Sequence, residues 1–201
     1  MALQTISWGA VFLLLVASLF LLLTRDWRWA LAFLATQYLG VFWLTQLHWT
    51  ISMAAVKLVT GWMAATTLGI TRSALNPRFA TAPDRSWLEG RPFHILAAAL
   101  ILLVVASATP GVARFLPGIG LAEVAGSLIL MAMGLLLLGL TVQPLRVVIG
   151  LLTVLAGFEI LYAAVESSIL VAALLALINL GLALVGSYLL TAGPEELGAQ
   201  E

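Results

Sequence analysis

Long apolar stretches, each of about 20 residues and so long enough to cross a bilayer as a helix, run along nearly the whole sequence. In lipid, every backbone N–H and C=O must be paired within its own segment, so these stretches are expected to be helices. The composition agrees, because 63% of the residues are hydrophobic and only 9% are charged. The chain is therefore predicted to be an all-α, polytopic membrane helix bundle.

Polar breaks divide the sequence into about seven transmembrane helices in a single domain, residues 1–190. As one helix, Trp29 to Thr71 would be roughly 64 Å long, about twice the hydrocarbon thickness, so it must fold back near residues 45–50. The fourth helix is expected to stop at Pro110. The predicted helices are 7–24, 29–46, 50–71, 93–109, 120–141, 145–165 and 168–190, with a cytoplasmic loop at 72–92 and a mobile acidic tail at 191–201.

Arginine residues are distributed unevenly between the two sets of connections. If the N-terminus is outside, the external loops hold only Arg114. The cytoplasmic segments then hold Arg25, Arg28, Arg72, Arg78, Arg85, Arg91 and Arg146. The positive-inside rule therefore favours a multi-pass protein of the cell inner (cytoplasmic) membrane, with its N-terminus outside and its C-terminus in the cytoplasm.

Two charged residues, Lys57 and Glu159, lie well inside predicted helices. Each is expected roughly 10 Å below the external boundary, where a central charge costs about 2.5–3.5 kcal/mol on insertion scales. Equal depth and opposite sign predict that the two face each other or share a hydrated cavity, where an unpaired carboxyl group would bind and release a proton. The alternative is that Lys57 snorkels to the interface and Glu159 is protonated in a packing site.

Neighbouring helices carry further candidates for an ion path. Glu123, near the outer end of helix 5, either lines a path with Glu159 or is simply a boundary residue. Asn179 of helix 7 lies mid-membrane, where an amide joins such a path or acts as hydrogen-bond glue. Helix 7 also carries small residues at helical spacing, which permit close helix packing: Ala172, Ala176, Ala183 and Gly186.

Several classes of function lack the residues they need. A chain without cysteine has no thiol catalysis and no cysteine-bound iron–sulfur cluster. His48 and His94 are isolated, so neither a metal site nor a cofactor is predicted, and no nucleotide-binding or catalytic-triad motif is visible. No basic patch suggests nucleic acid. With so little extramembrane mass, the chain is predicted not to be an enzyme by itself.

The order of these features resembles the membrane component E family of hydrogenase-4 type complexes and, through its C-terminal half, the K subunit of respiratory complex I. The resemblance spans most of the chain. In the family, helix 6 carries Glu followed by Asn and Gly; here the carboxylate comes one turn later, as Glu159, on the same face. The position comparable to the K subunit's second carboxylate is Asn179. The segments that carry the resemblance are RWALAFLATQ, ISMAAVKLVTG with Lys57, the polar loop before helix 4, GLLLLGLTVQPLRVVIGLL and VLAGFEILYAAVE.

The resemblance implies a non-catalytic membrane subunit that packs against antiporter-like subunits of a proton- or sodium-translocating oxidoreductase complex. The partners would hold the metal centres and the quinone chemistry, and the lipid bilayer would surround the bundle. Lys57 and Glu159 would line or tune a hydrated proton path, with helices 5–7 at the subunit contact. Two alternatives stay open, a purely structural assembly subunit and an independent small transporter or channel.

Overall fold

The computed structural model describes residues 2–75, 90–116 and 118–198, and within these residues the chain is helical, with no strand. The expected all-α helix bundle is confirmed. The helices are α1 (Ala2–Leu23), α2 (Trp27–Thr45), α3 (Ile51–Ala74), α4 (Arg91–Phe115), α5 (Leu121–Leu140), α6 (Pro144–Val165) and α7 (Ile169–Gly198).

Six of these helices are long and apolar enough to cross a membrane, and the protein is a multi-pass membrane protein. Helix α2 is not among the six, although its 19 residues would span about 28 Å. It carries Arg28, Gln37 and Tyr38, which lower its mean hydropathy. Because Gln37 and Tyr38 are buried, the polar groups in the middle of α2 face the interior of the bundle rather than lipid.

Contacts between connections show which helix ends lie together. His48 Nε2 lies 2.8 Å from Glu123 Oε2, and the Trp49 indole N–H donates to the Glu166 carbonyl oxygen at 2.9 Å. These contacts join the α2–α3 connection to the start of α5 and to the α6–α7 connection. We call this end of the bundle the His48 end; it corresponds to the end predicted to be external.

The opposite end of the bundle collects most of the arginines. There the Arg146 guanidinium at the start of α6 donates to the Thr24 carbonyl oxygen, just after α1. Arg28, in the first turn of α2, lies at the same end, which we call the Arg28 end. Successive helices therefore alternate in direction between the two ends.

Helices α5 and α6 pack most extensively, and their backbones approach closely. A Cβ on Gly157 would lie 2.8 Å from the Ser127 carbonyl oxygen, closer than real Cβ atoms come. The Ser127 hydroxyl donates to the Gly157 carbonyl oxygen at 2.6 Å. Positions two residues apart on a helix differ by about 200° around its axis. Because Gly157 faces α5, Glu159 therefore points away from α5.

Helix α4 extends past its predicted end at 109, through Pro110 to Phe115. A proline removes one backbone donor and normally ends or kinks a helix. Transmembrane helices tolerate it where hydroxyl side chains and local adjustments satisfy the freed backbone groups. Pro110 leaves the Ala106 carbonyl oxygen without its helical donor, and the neighbouring Thr109 hydroxyl donates to the Val105 carbonyl oxygen at 2.6 Å.

The last helix also runs further than expected. Helix α7 continues to Gly198, so most of the segment 191–201 is helical where a tail was predicted. Of the predicted loop 72–92, residues 72–74 belong to α3 and residue 91 begins α4. Residues 76–89 of this loop lie outside the described residues.

Candidate functional site

Lys57 of α3 and Glu159 of α6 form an ion pair in the interior of the bundle. Lys57 Nζ lies 2.5 Å from Glu159 Oε1, and the two side chains are 1% and 0% exposed. The distances along the helices, from Ile51 to Lys57 and from Glu159 to Val165, are each about 9 Å. The structure therefore brings together the two charged residues for which sequence predicted equal depth.

Two further side chains extend this pair. The Asn179 amide of α7 donates to Glu159 Oε1 at 2.9 Å, and the Tyr38 hydroxyl of α2 donates to Asn179 Oδ1 at 2.9 Å. Lys57, Glu159, Asn179 and Tyr38 are all at most 1% exposed. We call these four residues the buried network; it joins helices α2, α3, α6 and α7.

One atom of the buried network is left without a partner. Glu159 Oε2 is buried and has no hydrogen-bond partner among the described residues. An ionised carboxylate has about four lone-pair sites, and a buried acceptor without a partner costs about 1–3 kcal/mol. This oxygen is therefore the position in the network at which a proton or a water molecule would bind most favourably.

Tyr38 belongs to the site although the sequence analysis did not single it out. Its place depends on Gly61, one turn after Lys57 on α3, because a Cβ on that glycine would collide with the Tyr38 ring. A signal was available in the sequence. A tyrosine hydroxyl in the middle of a membrane helix requires a hydrogen-bond partner, so Tyr38 implied a polar side chain opposite it.

A second set of buried hydrogen bonds lies beside the network. Gln37, adjacent to Tyr38, donates from Nε2 to Ser18 Oγ at 2.8 Å. The Thr153 hydroxyl donates to Gln37 Oε1 at 3.2 Å. These bonds join α1, α2 and α6, so polar contacts continue on the side of the network toward the Arg28 end.

Glu123 has a different set of partners from the one expected for an ion path with Glu159. Its Oε2 accepts a hydrogen bond from the Gly120 backbone N–H at 2.9 Å and lies close to His48. In the first turn of α5, this carboxylate satisfies a backbone donor that the helix itself leaves free. The structure therefore places Glu123 at the His48 end, as a helix cap, and its contacts do not reach the buried network.

The small residues predicted to mediate helix packing lie on the buried face of α7: Ala172, Ala176, Ala183 and Gly186. A Cβ on Gly186 would lie 2.7 Å from Val148 Cγ2 and 3.0 Å from Leu68 Cδ2. This face therefore packs against α3 and α6 of the same chain. The close approach is what carries Asn179 to Glu159.

The chemistry available at this site is that of a buried acid and a buried base with amide and phenol neighbours. Among residues 2–75, 90–116 and 118–198, no group of three or more His, Asp or Glu side chains is arranged to hold a metal ion. Comparison with known proteins finds no matching family model, no matching curated protein and no matching solved structure.

Proposed function

We propose that this chain is a non-catalytic membrane subunit of an ion-translocating oxidoreductase complex of the hydrogenase-4 or complex I type, in which the buried network lines or tunes a proton path. The observation that carries the proposal is a lysine–glutamate pair enclosed in a membrane bundle, with Glu159 Oε2 unpartnered. Ionisable residues inside membrane segments are rare, and they mark ion pathways and proton relays.

Stability alone does not account for this pair. Replacing a buried ion pair with hydrophobic residues of similar volume is often neutral or stabilising, because desolvation of two charges offsets most of their attraction. Lys57 and Glu159 are therefore better explained by proton chemistry than by packing.

The pair holds a proton on either partner without a change in net charge. With the proton on Lys57 Nζ the pair is an ammonium and a carboxylate; with the proton on Glu159 it is an amine and a carboxylic acid. A further proton bound at Glu159 Oε2 would leave the ammonium without its counter-charge. Its uptake then depends on a compensating charge nearby, which an antiporter-like neighbour would supply.

The surroundings of the bundle are consistent with a subunit embedded among lipid and other membrane proteins. Helix α7 exposes one apolar face, formed by Leu170, Leu174, Leu177 and Leu184. In the proposed complex, the partners contact helices α5–α7. The His48 end faces outward and the Arg28 end faces the cytoplasm, as the distribution of arginines favours.

The proposal is tested by replacing Glu159 with glutamine in cells that make the complete complex. In inverted membrane vesicles, Glu159→Gln is expected to lower the number of protons pumped per electron several-fold, while the rate of electron transfer per assembled complex stays near the wild-type value. The matched control is Glu166→Gln, because Glu166 is exposed at the end of α6. Equal loss of both activities, or no loss, would contradict the proposal.

A structural role in assembly is the second candidate, favoured by the way the buried network ties four helices together. In that case Glu159→Gln would reduce the amount of assembled complex but leave the ratio of protons to electrons unchanged. Purification of the tagged chain distinguishes both subunit roles from that of an independent channel. Co-purification with larger antiporter-like subunits is expected, whereas a homo-oligomer that conducts ions alone would contradict both subunit roles.

A further inference from the structure

A groove of about 660 Å³ lies on the outer surface of the bundle, between α2 and α3. At the Arg28 end it is lined by Trp27, Arg28 and Ser73, and toward the middle of the helices by Ala35 and Trp62. The groove is shallow and open rather than enclosed. The buried network lies elsewhere, because none of its residues lines the groove.

The length of the groove matches one leaflet of a bilayer. From Arg28 to Ala35 along α2 is about 11 Å, and from Trp62 to Ser73 along α3 is about 16 Å. Half of the hydrocarbon core is about 15 Å. The groove therefore reaches from one membrane interface to the mid-plane and no further.

Trp62 lies at the deep end of the groove. Its indole N–H donates to the Ala35 carbonyl oxygen at 3.1 Å, so the ring bridges α3 and α2. A transmembrane helix of a partner protein would have to continue past this ring. The groove thus fits an apolar chain that enters from one interface and ends at mid-membrane.

Small residues explain why the groove is open. Ala32, Ala35, Ala65 and Gly69 lie along its walls, where larger side chains would fill the space between α2 and α3. Ala32, just after the first turn of α2, is exposed. The lining is otherwise mostly apolar, as the binding of an acyl chain requires.

The open end of the groove is basic and aromatic. Arg28 is exposed, and its guanidinium lies 5.4 Å from the centre of the Trp27 ring. Arg25 and Arg72 belong to the same end of the bundle, where Asp26 caps α2 by accepting a hydrogen bond from the Arg28 backbone N–H. Tryptophan and arginine at this depth are typical of the headgroup region, and basic pockets between membrane helices bind anionic headgroups.

We infer that this groove binds one anionic glycerophospholipid of the arginine-rich leaflet. One acyl chain lies along the small residues between α2 and α3, with its end near Trp62, and the phosphate lies at Arg28. The inference is independent of the proton chemistry proposed above, because it involves a different face of α2 and α3.

Native mass spectrometry of the full chain, released from nanodiscs with equal amounts of phosphatidylglycerol and phosphatidylcholine, tests the inference. The wild-type protein is expected to retain one phosphatidylglycerol in preference to phosphatidylcholine. Ala32→Trp, which fills the groove, is expected to lower this retention at least tenfold. Arg28→Gln is expected to lower the preference about fivefold, the effect of one arginine near a lipid headgroup.

Ala99→Trp and Arg114→Gln are the matched controls, since both residues are exposed on α4 and outside the groove. Both are expected to behave as wild type. If Ala32→Trp fails to fold by circular dichroism, Thr66→Trp fills the groove instead, because Thr66 of α3 also lines it. Equal retention of the two lipids by wild type, or unchanged retention in a folded groove-filling variant, would overturn the inference. The inference would also be overturned if a groove-filling variant lost a co-purifying membrane protein but kept the lipid. That result would identify the occupant of the groove as a partner helix.

Discussion

At the scale of single residues, Lys57 and Glu159 depend on each other to remain inside an apolar bundle. Each is almost completely removed from solvent, and the ammonium lies within hydrogen-bond distance of the carboxylate. In a low-dielectric interior an unpaired charge is far more costly than a pair. The stability of the bundle should therefore respond differently to the loss of one charge and to the loss of both.

Lys57→Met is expected to destabilise the protein by about 3–5 kcal/mol, because it leaves the Glu159 carboxylate buried without its counter-charge. The double variant Lys57→Met with Glu159→Met should recover most of that loss, since no charge remains unpaired. Unfolding in mixed micelles measures all variants, including Glu159→Met alone, in a double-mutant cycle. A double variant whose destabilisation equals the sum of the two single ones would show that the pair does not couple.

At the scale of helices, close backbone packing determines the rotation of each helix about its own axis. Gly157 lets α6 touch α5, and Gly186 lets α7 touch α6 and α3. With these contacts in place, Glu159 and Asn179 face the same interior space. Small residues at helix contacts are the usual means of association in membranes, where the hydrophobic effect does not distinguish a neighbouring helix from lipid.

Gly157→Ala is expected to separate α5 from α6 and to destabilise the protein by about 1–3 kcal/mol, as overpacking of a tight contact does. The added methyl group would meet backbone atoms of α5, which cannot rotate away as a side chain would. Gly181→Ala is the control, because no atom lies within 4 Å of its Cβ position. Thermal unfolding in detergent compares the two, and equal effects would mean that the α5–α6 contact is not tight.

At the scale of the whole molecule, the two ends of the bundle differ in charge. The Arg28 end holds arginines from the starts of α2 and α6 and from the end of α3, whereas α4 ends with Arg114 near the His48 end. A membrane protein inserts so that its short, basic connections stay in the cytoplasm. The orientation of the bundle is thus open to a direct labelling experiment.

The absence of cysteine from the sequence makes that experiment simple, since each introduced cysteine is the only one. Ser167→Cys places a thiol in the exposed α6–α7 connection at the His48 end, and Val142→Cys places one in the α5–α6 connection, where Val142 is 80% exposed. A membrane-impermeant maleimide is expected to label the first variant in intact cells and the second only after permeabilisation. The reverse pattern would show that the Arg28 end faces outward.

Much of the fold could be predicted from the sequence, because lipid permits few structures. The length of each apolar stretch determined that the chain forms membrane helices, and the short polar breaks determined their order and alternation. The positions of Lys57 and Glu159 along their helices determined that the two lie at equal depth. These results follow from distances along the helix axis, which residue number alone supplies.

Only the tertiary structure decided what lies around each helix axis. In a soluble protein the apolar stripe of a helix marks its buried face, but here lipid-facing and buried faces are both apolar, so periodicity does not give the rotation of a helix. That is why the hydrogen bonds of Asn179 with Tyr38 and with Glu159 could not be predicted. Glu123, by contrast, is kept from the network by its place in the first turn of α5. Packing through Gly61, Gly157 and Gly186 set those rotations, and with them the geometry of the buried network.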